Sequence, residues 1–563
     1  MISRRDFLTA AGATAILTGT SGGRLARLAT QQALSEAELL AFEPLGNVTL
    51  VHLADIHAQL VPVHFREPSI NIGVGAAKGR LPHLTGSEFR KHFGIADRSA
   101  EAFALTYDAF ASLARTYGRM GGLDRVATIV KAIRSERAPN MLLLDGGDTW
   151  TNSWTALQSK GQDMVDVVAA LKPDAMTGHW EFTLGDARVA QLTQALGFPF
   201  LAQNVRDSEF EDRVFPARKM FERGGVQIAV IGQAFPFTPI ANPRWMFPKW
   251  TFGIREADLR KEVQEARTAG AGLVVLLSHN GFDVDAKLAE VVDGIDVILS
   301  GHTHDAVPQP TRIGKTLIVA SGSNGKFVSR LDLDVRDGAI KAYRYRLIPV
   351  FADAIKPDAE TAAIIERHRA PYESELTRIL GRTETLLYRR GSFDGTLDSV
   401  ICDAILTQRD AEIALSPGVR WGTSLLPGQA ITFEDVTNAT AMTYPACYRM
   451  TMDGRRLKDV LEDVADNIFN PDPFYQQGGD MVRTGGLGYT IDISKPIGRR
   501  ISNLTLLASG QPVDPGKDYA VAGWASVSRD AEGPPIWDVV AKHIEAAKVV
   551  APRETDAVKV TGT

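Results

Sequence analysis

Seven side chains have types and spacings that suit metal chemistry. Asp55 and His57 are separated by one residue, as are His302 and His304; Asp148 follows Gly146-Gly147, His179 follows Gly178, and His279 closes an apolar run. A pair at i and i+2 on a turn can aim both side chains at one ion, and the glycines let the backbone carry a carboxylate close to a cation. Mixed carboxylate and imidazole donors suit Mn, Fe or Zn better than Ca or Mg alone. Seven donors crowd a single ion. Two ions bridged by one carboxylate, roughly 3.5–4 Å apart, is the natural arrangement, and such a pair activates water for hydrolysis. Of the other histidines, His52 lies inside an apolar run and reads as structural, with His92, His368 and His543. His64 and His83 lie in the loop after the first cluster, where a substrate role is open. Asp145 and Asn280 flank ligands and read as groups that orient them or cap their turns.

These residues need elements that bring them together. Apolar runs over 48–54, 141–144, 273–277 and 295–299 lead directly into the polar clusters. Short continuous apolar runs bounded by Gly and Asp predict buried strands. Helical patterns over 123–134 and 255–268 lie between them, so strand, polar turn and helix alternate as in an α/β layered domain. Ligands collect at the carboxyl ends of strands in such sheets, where all four clusters fall. Short strands are expected over 311–345 and a long loop over 62–85, next to the first cluster. A charged helical connector follows over about 357–380. Beyond it a second region has its own helices, at 399–409 and 454–467, and its own strands.

Composition bounds the rest. At 563 residues the chain is too long for one ordinary core, so two or three domains are expected. A net charge of −5 gives no electrostatic footprint for nucleic acid. Two cysteines, Cys402 and Cys447, exclude a disulfide scaffold and a Cys-ligated zinc site but allow one bridge. No apolar run reaches the roughly 18–20 residues of a membrane span. The opening Met1-Ile2-Ser3-Arg4-Arg5-Asp6-Phe7-Leu8, followed by a weakly apolar stretch, reads as a twin-arginine export signal over about residues 1–30. The expected mature protein is exported to the periplasm and has no membrane anchor.

The ordered set Asp55-x-His57, Gly147-Asp148, Gly178-His179-Trp180-Glu181-Phe182, His279 and Gly301-His302-x-His304 resembles the two-metal calcineurin-like phosphoesterases. Downstream, Asp403-Ala404, Ser416-Pro417-Gly418-Val419-Arg420 and Gly478-Gly479-Asp480 are similar to the C-terminal domain of the 5′-nucleotidase family. The resemblance implies a four-layer αββα metallophosphoesterase-like domain over 46–350, a linker helix over 351–382, and a C-terminal α/β 5′-nucleotidase-like substrate domain over 383–555. Carried across by position, it implies that Asp55, His57 and His304 hold one ion, His279 and His302 the other, and that Asp148 bridges. It places Asn204 beside the ligands.

One motif departs from that family. Where 5′-nucleotidases carry an Asn-His pair, this chain has His179 and Trp180. The form Gly-His-Trp-Glu-Phe resembles the thiosulfohydrolases of the Sox sulfur-oxidation pathway, periplasmic dimanganese enzymes. Their implied substrate is a sulfonate borne on a cysteine of a carrier protein complex of the SoxYZ type. Two Mn²⁺ are the implied cofactor, with other divalent transition metals possible. The departure is chemically consistent. An alkoxide leaving group benefits about 10²–10⁴-fold from a well-placed acid, and an indole N–H cannot transfer a proton at neutral pH. A sulfur anion, by comparison, departs easily, since a free thiol has a pKa near 8.5. His179 either replaces the Asn as a ligand or hydrogen-bonds the sulfonate. Arg420 and Arg483 are the candidates to grip the sulfonate oxygens, because a guanidinium fork matches an oxyanion. Trp421, Tyr444, Phe474, Tyr475 and Tyr489 are candidates to line a channel for the carrier segment. The alternatives are a periplasmic 5′-nucleotidase or cyclic phosphodiesterase, and a metal-stabilised protein that only docks the carrier.

Overall fold

The computed structural model describes residues 34–391, 393–553 and 556–563. The export signal expected over 1–30 lies outside the described residues. Among the described residues, no helix is long and apolar enough to cross a membrane.

Two large sheets form the centre of the N-terminal domain. In the first, the strand Val48–Leu53 lies between Phe327–Arg336, antiparallel, and Met141–Asp145, parallel; Ala339–Pro349 and Ala175–Met176 form its edges. The second runs Thr311–Ile313, Thr316–Ala320, Val297–Ser300, Leu273–Ser278, Val226–Gln233, Arg218–Arg223, and its central strands are parallel. Strand alternation explains why the apolar runs are continuous. Leu50, Leu142, Leu144, Ile228, Val275 and Leu299 point into the space between the sheets. Their neighbours Val51, Leu53 and Leu143 face the helices Leu123–Arg137 and Gln162–Leu171. On the far side Ile231, Leu276 and Ile298 face Glu256–Thr268 and Phe282–Val291. The central strands bury both faces, which gives the αββα order of layers.

Residues 311–345 begin with the short strands expected, Thr311–Ile313 and Thr316–Ala320, and then depart from them. Phe327–Arg336 and Ala339–Pro349 form a hairpin of 10 and 11 residues that extends the first sheet. The connector is not one helix either. It is helical over Ala359–Arg369, where Asp358 caps the start by accepting from the Thr361 N–H, and again over Glu373–Leu376. Pro371 interrupts it, because its ring cannot continue the ladder. Ile379–Thr383 is already a strand of the C-terminal region, paired with Ala430–Thr432 and Val549–Val550.

In the C-terminal region a four-stranded sheet, Tyr448–Asp453, Asp518–Gly523, Ile413–Gly418, Asp480–Gly485, carries the helices Thr396–Arg409 and Gly454–Phe469 and has cores of its own. Cys402 and Cys447 are both buried in one of these cores as free thiols, so the bridge that two cysteines allow is not made.

Candidate metal centre

All seven predicted ligands emerge just past the carboxyl ends of strands, and the two sheets bring them to one place. They form two groups that share Asp148: Asp55, His57, Asp148 and His304, and Asp148, His179, His279 and His302. Within each group the donor atoms lie within 4.8 Å of one another. Asp148 Oδ2 is 3.0 Å from His279 Nε2, 3.2 Å from His179 Nδ1 and 3.8 Å from His57 Nε2. His304 Nε2 is 2.9 Å from His57 Nε2 and 3.4 Å from Asp55 Oδ1. His179 therefore sits among the ligands, in the second group.

The backbone is bent to achieve this. Asp55, His57, Asp148, His302 and His304 all have φ between +50° and +77°, the left-handed region that costs an L-residue of order 1–3 kcal/mol. The turns are held by their neighbours. The Asp55 N–H donates to the Gly147 carbonyl at 2.9 Å, the His57 N–H to the Asp148 carbonyl at 2.7 Å, and the His302 N–H to Asp55 Oδ1 at 2.9 Å. Gly147 is required for a close approach, since a Cβ there would lie 2.8 Å from the Gly178 Cα.

The donor set fits a pair of divalent cations. His57 Nδ1 faces the Asn152 amide oxygen at 3.0 Å and His279 Nδ1 faces the Gly146 carbonyl at 2.7 Å, so both nitrogens carry protons and each Nε2 is the atom turned inward toward a cation. His179 Nε2 and His304 Nδ1 are buried without a hydrogen-bond partner. The electrostatics point the same way. Burial pushes the Asp55 carboxyl up to about 8, with Asp148 adding to the rise and His279 opposing it. Burial alone would lower His279, but Asp148 and Asp55 hold it up to about 10. Burial pulls His57 down to about 4 and holds His302 and His304 well below the usual imidazole range. These groups lack positive charge that divalent ions would supply. Cations ligate the deprotonated forms, so their binding expels the His279 proton and affinity must rise with pH. We expect Mn²⁺ at about 100 times its Kd to stabilise the fold by about 2.7 kcal/mol, visible as a rise in Tm that EDTA reverses. Calorimetry in buffers of different ionisation enthalpy should show proton release. An unchanged Tm would refute the site.

The remaining expected groups divide. Arg420 lines a cleft beside His302, together with Asn71, His83, Asp305 and Gly478. The loop over 62–85 thus forms one wall, with His83 bonded to Asp283 at 3.0 Å. His64 is not in this cleft; burial and Arg119 pull it down to about 4. Arg483 must be reassigned. It is fully buried behind the cleft, bonded to Asp398 at 3.2 Å, Asp480 at 2.9 Å and the carbonyls of Met481 and Arg389, so its guanidinium is committed to packing the domain. Trp180 packs edge-on to Trp421 at 4.9 Å and stacks on Tyr444 at 5.9 Å, while Trp421 lies 5.2 Å from the His57 ring. The other aromatics do not line a channel. Tyr489 is in a core, Tyr475 is exposed at the surface, and Phe474 lies under Lys287. Asn204 touches no ligand; it brackets Ala234 through the backbone and so fixes Phe235, whose ring lies 4.0 Å from His179 and 4.2 Å from His302. Asp145 caps its turn by accepting from the Gly147 N–H and the Thr149 hydroxyl, and Asn280 donates to Asp285.

Three groups have roles that the sequence does not assign, although Glu181 stands in the Gly-His-Trp-Glu-Phe motif. Arg390 lines the same cleft and donates to the carbonyls of Thr303 and His304. Asn152 fixes the His57 tautomer; its position four residues after Asp148 is the signal available for it. Glu181, buried, accepts from the N–H groups of Thr149 at 2.6 Å, His179 at 2.7 Å, and Asp148 and Trp150 at 3.3 Å. An acid two residues beyond His179 is its signature.

The model of the 5′-nucleotidase C-terminal domain matches residues 379–538. A solved structure, the sulfate thiohydrolase SoxB of Thermus thermophilus, is 37% identical, with a TM-score of 0.90 over 93% of this chain and 98% of that one. A 5′-nucleotidase precursor, also from Thermus thermophilus, shares the fold at 22% identity and a TM-score of 0.72, covering 92% of this chain and 100% of that one. The rat (Rattus norvegicus) 5′-nucleotidase is 24% identical over 71% of this chain and 76% of its own length.

Proposed function

Because this chain belongs to the SoxB/5′-nucleotidase family of hydrolases, we propose that it is a periplasmic dimanganese thiosulfohydrolase. It removes the terminal sulfonate from a thiosulfonated cysteine of a carrier complex of the SoxYZ type and releases sulfate. The observation that carries this reading is Trp180. The side chain beside His179 is an indole packed between Trp421 and Tyr444, which can hold a shape but cannot deliver a proton. The 37% likeness to SoxB, against 22–24% for the nucleotidases, supports the same choice.

Asp55, His57, Asp148 and His304 would hold one cation and Asp148, His179, His279 and His302 the other. When bound, such a pair supplies water activation at neutral pH and Lewis-acid polarisation of an oxyanion. The chain supplies the rest. Asn152 and the Gly146 carbonyl hold a proton on the outer nitrogens of His57 and His279, so the inward nitrogen of each is the one that would face a cation. Arg420 puts positive charge in the cleft beside His302, where the sulfonate oxygens would lie. The water oxygen would bond to the terminal sulfonate sulfur, the bond from that sulfur to the carrier's outer sulfur breaks with its electron pair staying on the carrier, and the two protons of the water pass to solvent, leaving sulfate and a sulfur anion on the carrier. That anion is a good leaving group, so no general acid is needed.

The test is sulfate release by the Mn²⁺-loaded protein from the thiosulfonated carrier, with AMP as the competing substrate. Sulfate release without AMP turnover is the expected result; AMP hydrolysis at enzyme-like rates would favour the nucleotidase reading. Trp180→His should change kcat for sulfate release by no more than about threefold, because an acid worth ~10²–10⁴-fold to an alkoxide adds little for a departing thiolate. A collapse in a correctly folded variant would refute the leaving-group argument.

A further inference from the structure

The turn that carries His302 and His304 belongs to the N-terminal domain, yet the C-terminal domain holds much of it. His302 Nε2 lies 2.9 Å from the Gln477 carbonyl. A carbonyl only accepts, so that nitrogen carries the proton and Nδ1 is left to face a cation. The next residue, Gly478, has φ +73°, and a Cβ there would come within 2.7 Å of His302 Nε2. This position therefore requires glycine for its conformation and for its closeness to the ring. Arg420, anchored on the Gly479 carbonyl at 2.6 Å, donates to the His302 carbonyl at 3.2 Å. Arg390, only 5% exposed, donates to the carbonyls of Thr303 at 3.1 Å and His304 at 3.2 Å. The carbonyls of three successive residues, 302–304, are thus all bonded by guanidinium groups of the other domain. His302 and His304 have φ of +77° and +60°, conformations that persist only where the surroundings over-determine them.

We infer that the metal centre is assembled across the domain boundary. Arg390 and the Gln477-Gly478 turn position His302 and His304, so cation retention and docking of the C-terminal domain are one coupled equilibrium. The inference rests on the two-cation reading above. Arg390 acts through the ligand turn and is a positioning residue. The coupling is reciprocal: cations tighten the interface by the factor by which the interface tightens cations.

The experiment uses the full chain, with manganese per chain after dialysis and Kd for Mn²⁺ by calorimetry as readouts. Wild type should hold two ions. Arg390→Met and Gly478→Ala should weaken at least one of them about 10- to 100-fold, the usual worth of a group that orients a ligand. Arg390→Lys, which keeps the charge and loses the fork, should recover part of that loss. Two ions held as tightly as in wild type by both Arg390→Met and Gly478→Ala would overturn the inference while leaving the two-cation reading intact. A wild type that binds no Mn²⁺ removes both. Hydrogen exchange on the wild type needs no variant. Mn²⁺ should slow exchange in segments 387–391 and 476–480, and protection confined to the N-terminal ligand loops would overturn the coupling even if the variants fail to fold.

Discussion

Asp148→Asn is expected to reduce the protein from two bound cations to at most one and to cut turnover by more than about 100-fold, since even a group that only orients a ligand is worth 10- to 100-fold. Asp148 is the one side chain common to both donor groups, and its Oδ2 lies within 3.2 Å of nitrogens on His179 and His279. An amide keeps the volume, and its oxygen can still accept from the Trp180 N–H, now bonded to Oδ1 at 2.8 Å. The variant should therefore fold, with a loss confined to ions and rate. Metal analysis beside circular dichroism checks both parts. Two ions and undiminished sulfate release in the variant would show that Asp148 does not bridge.

Glu181→Ala should act on the fold first. Its carboxylate is fully buried and accepts four backbone N–H groups, from Asp148, Thr149, Trp150 and His179, two of them at 2.6 and 2.7 Å. Alanine leaves these donors without a partner in a site closed to water, and each orphaned donor costs about 1–3 kcal/mol. With the two short bonds dominating, a loss of about 3–5 kcal/mol is expected in urea denaturation. Glu181→Gln should fall between, since its oxygen still accepts while its NH₂ faces donors. The same carboxylate ties the Asp148 turn to the His179 turn, so cation affinity should fall with stability. A change below about 1 kcal/mol would mean that the turns hold without it.

The ligand set is legible in the sequence because each member stands where an apolar run meets glycine or a charge, and strand-end geometry does the rest. The layers are legible for the same reason: Leu50 and Val51, or Val275 and Leu276, face opposite ways and are both apolar. The arginines are not legible. Arg420 and Arg483 both sit near glycines, but one lines the cleft and the other closes a buried ion pair with Asp398, and only packing in three dimensions separates them. Arg390 is hidden because its partners are main-chain carbonyls, one of them 87 residues away, which leave no mark in its own neighbourhood. The connector reads as one helix because its charge and few turn residues outweigh a single Pro371. Asn204 reads as a neighbour of the ligands, and it acts one step away, through Phe235.

His57 and His304, whose inward nitrogens lie 2.9 Å apart, are 247 residues apart in the chain. Neither donor group is contained in one contiguous stretch of polypeptide: each draws on both sheets. The complete set of donors therefore exists only where both sheets are in register, so occupancy of a two-cation centre would report on the packing of the whole N-terminal domain.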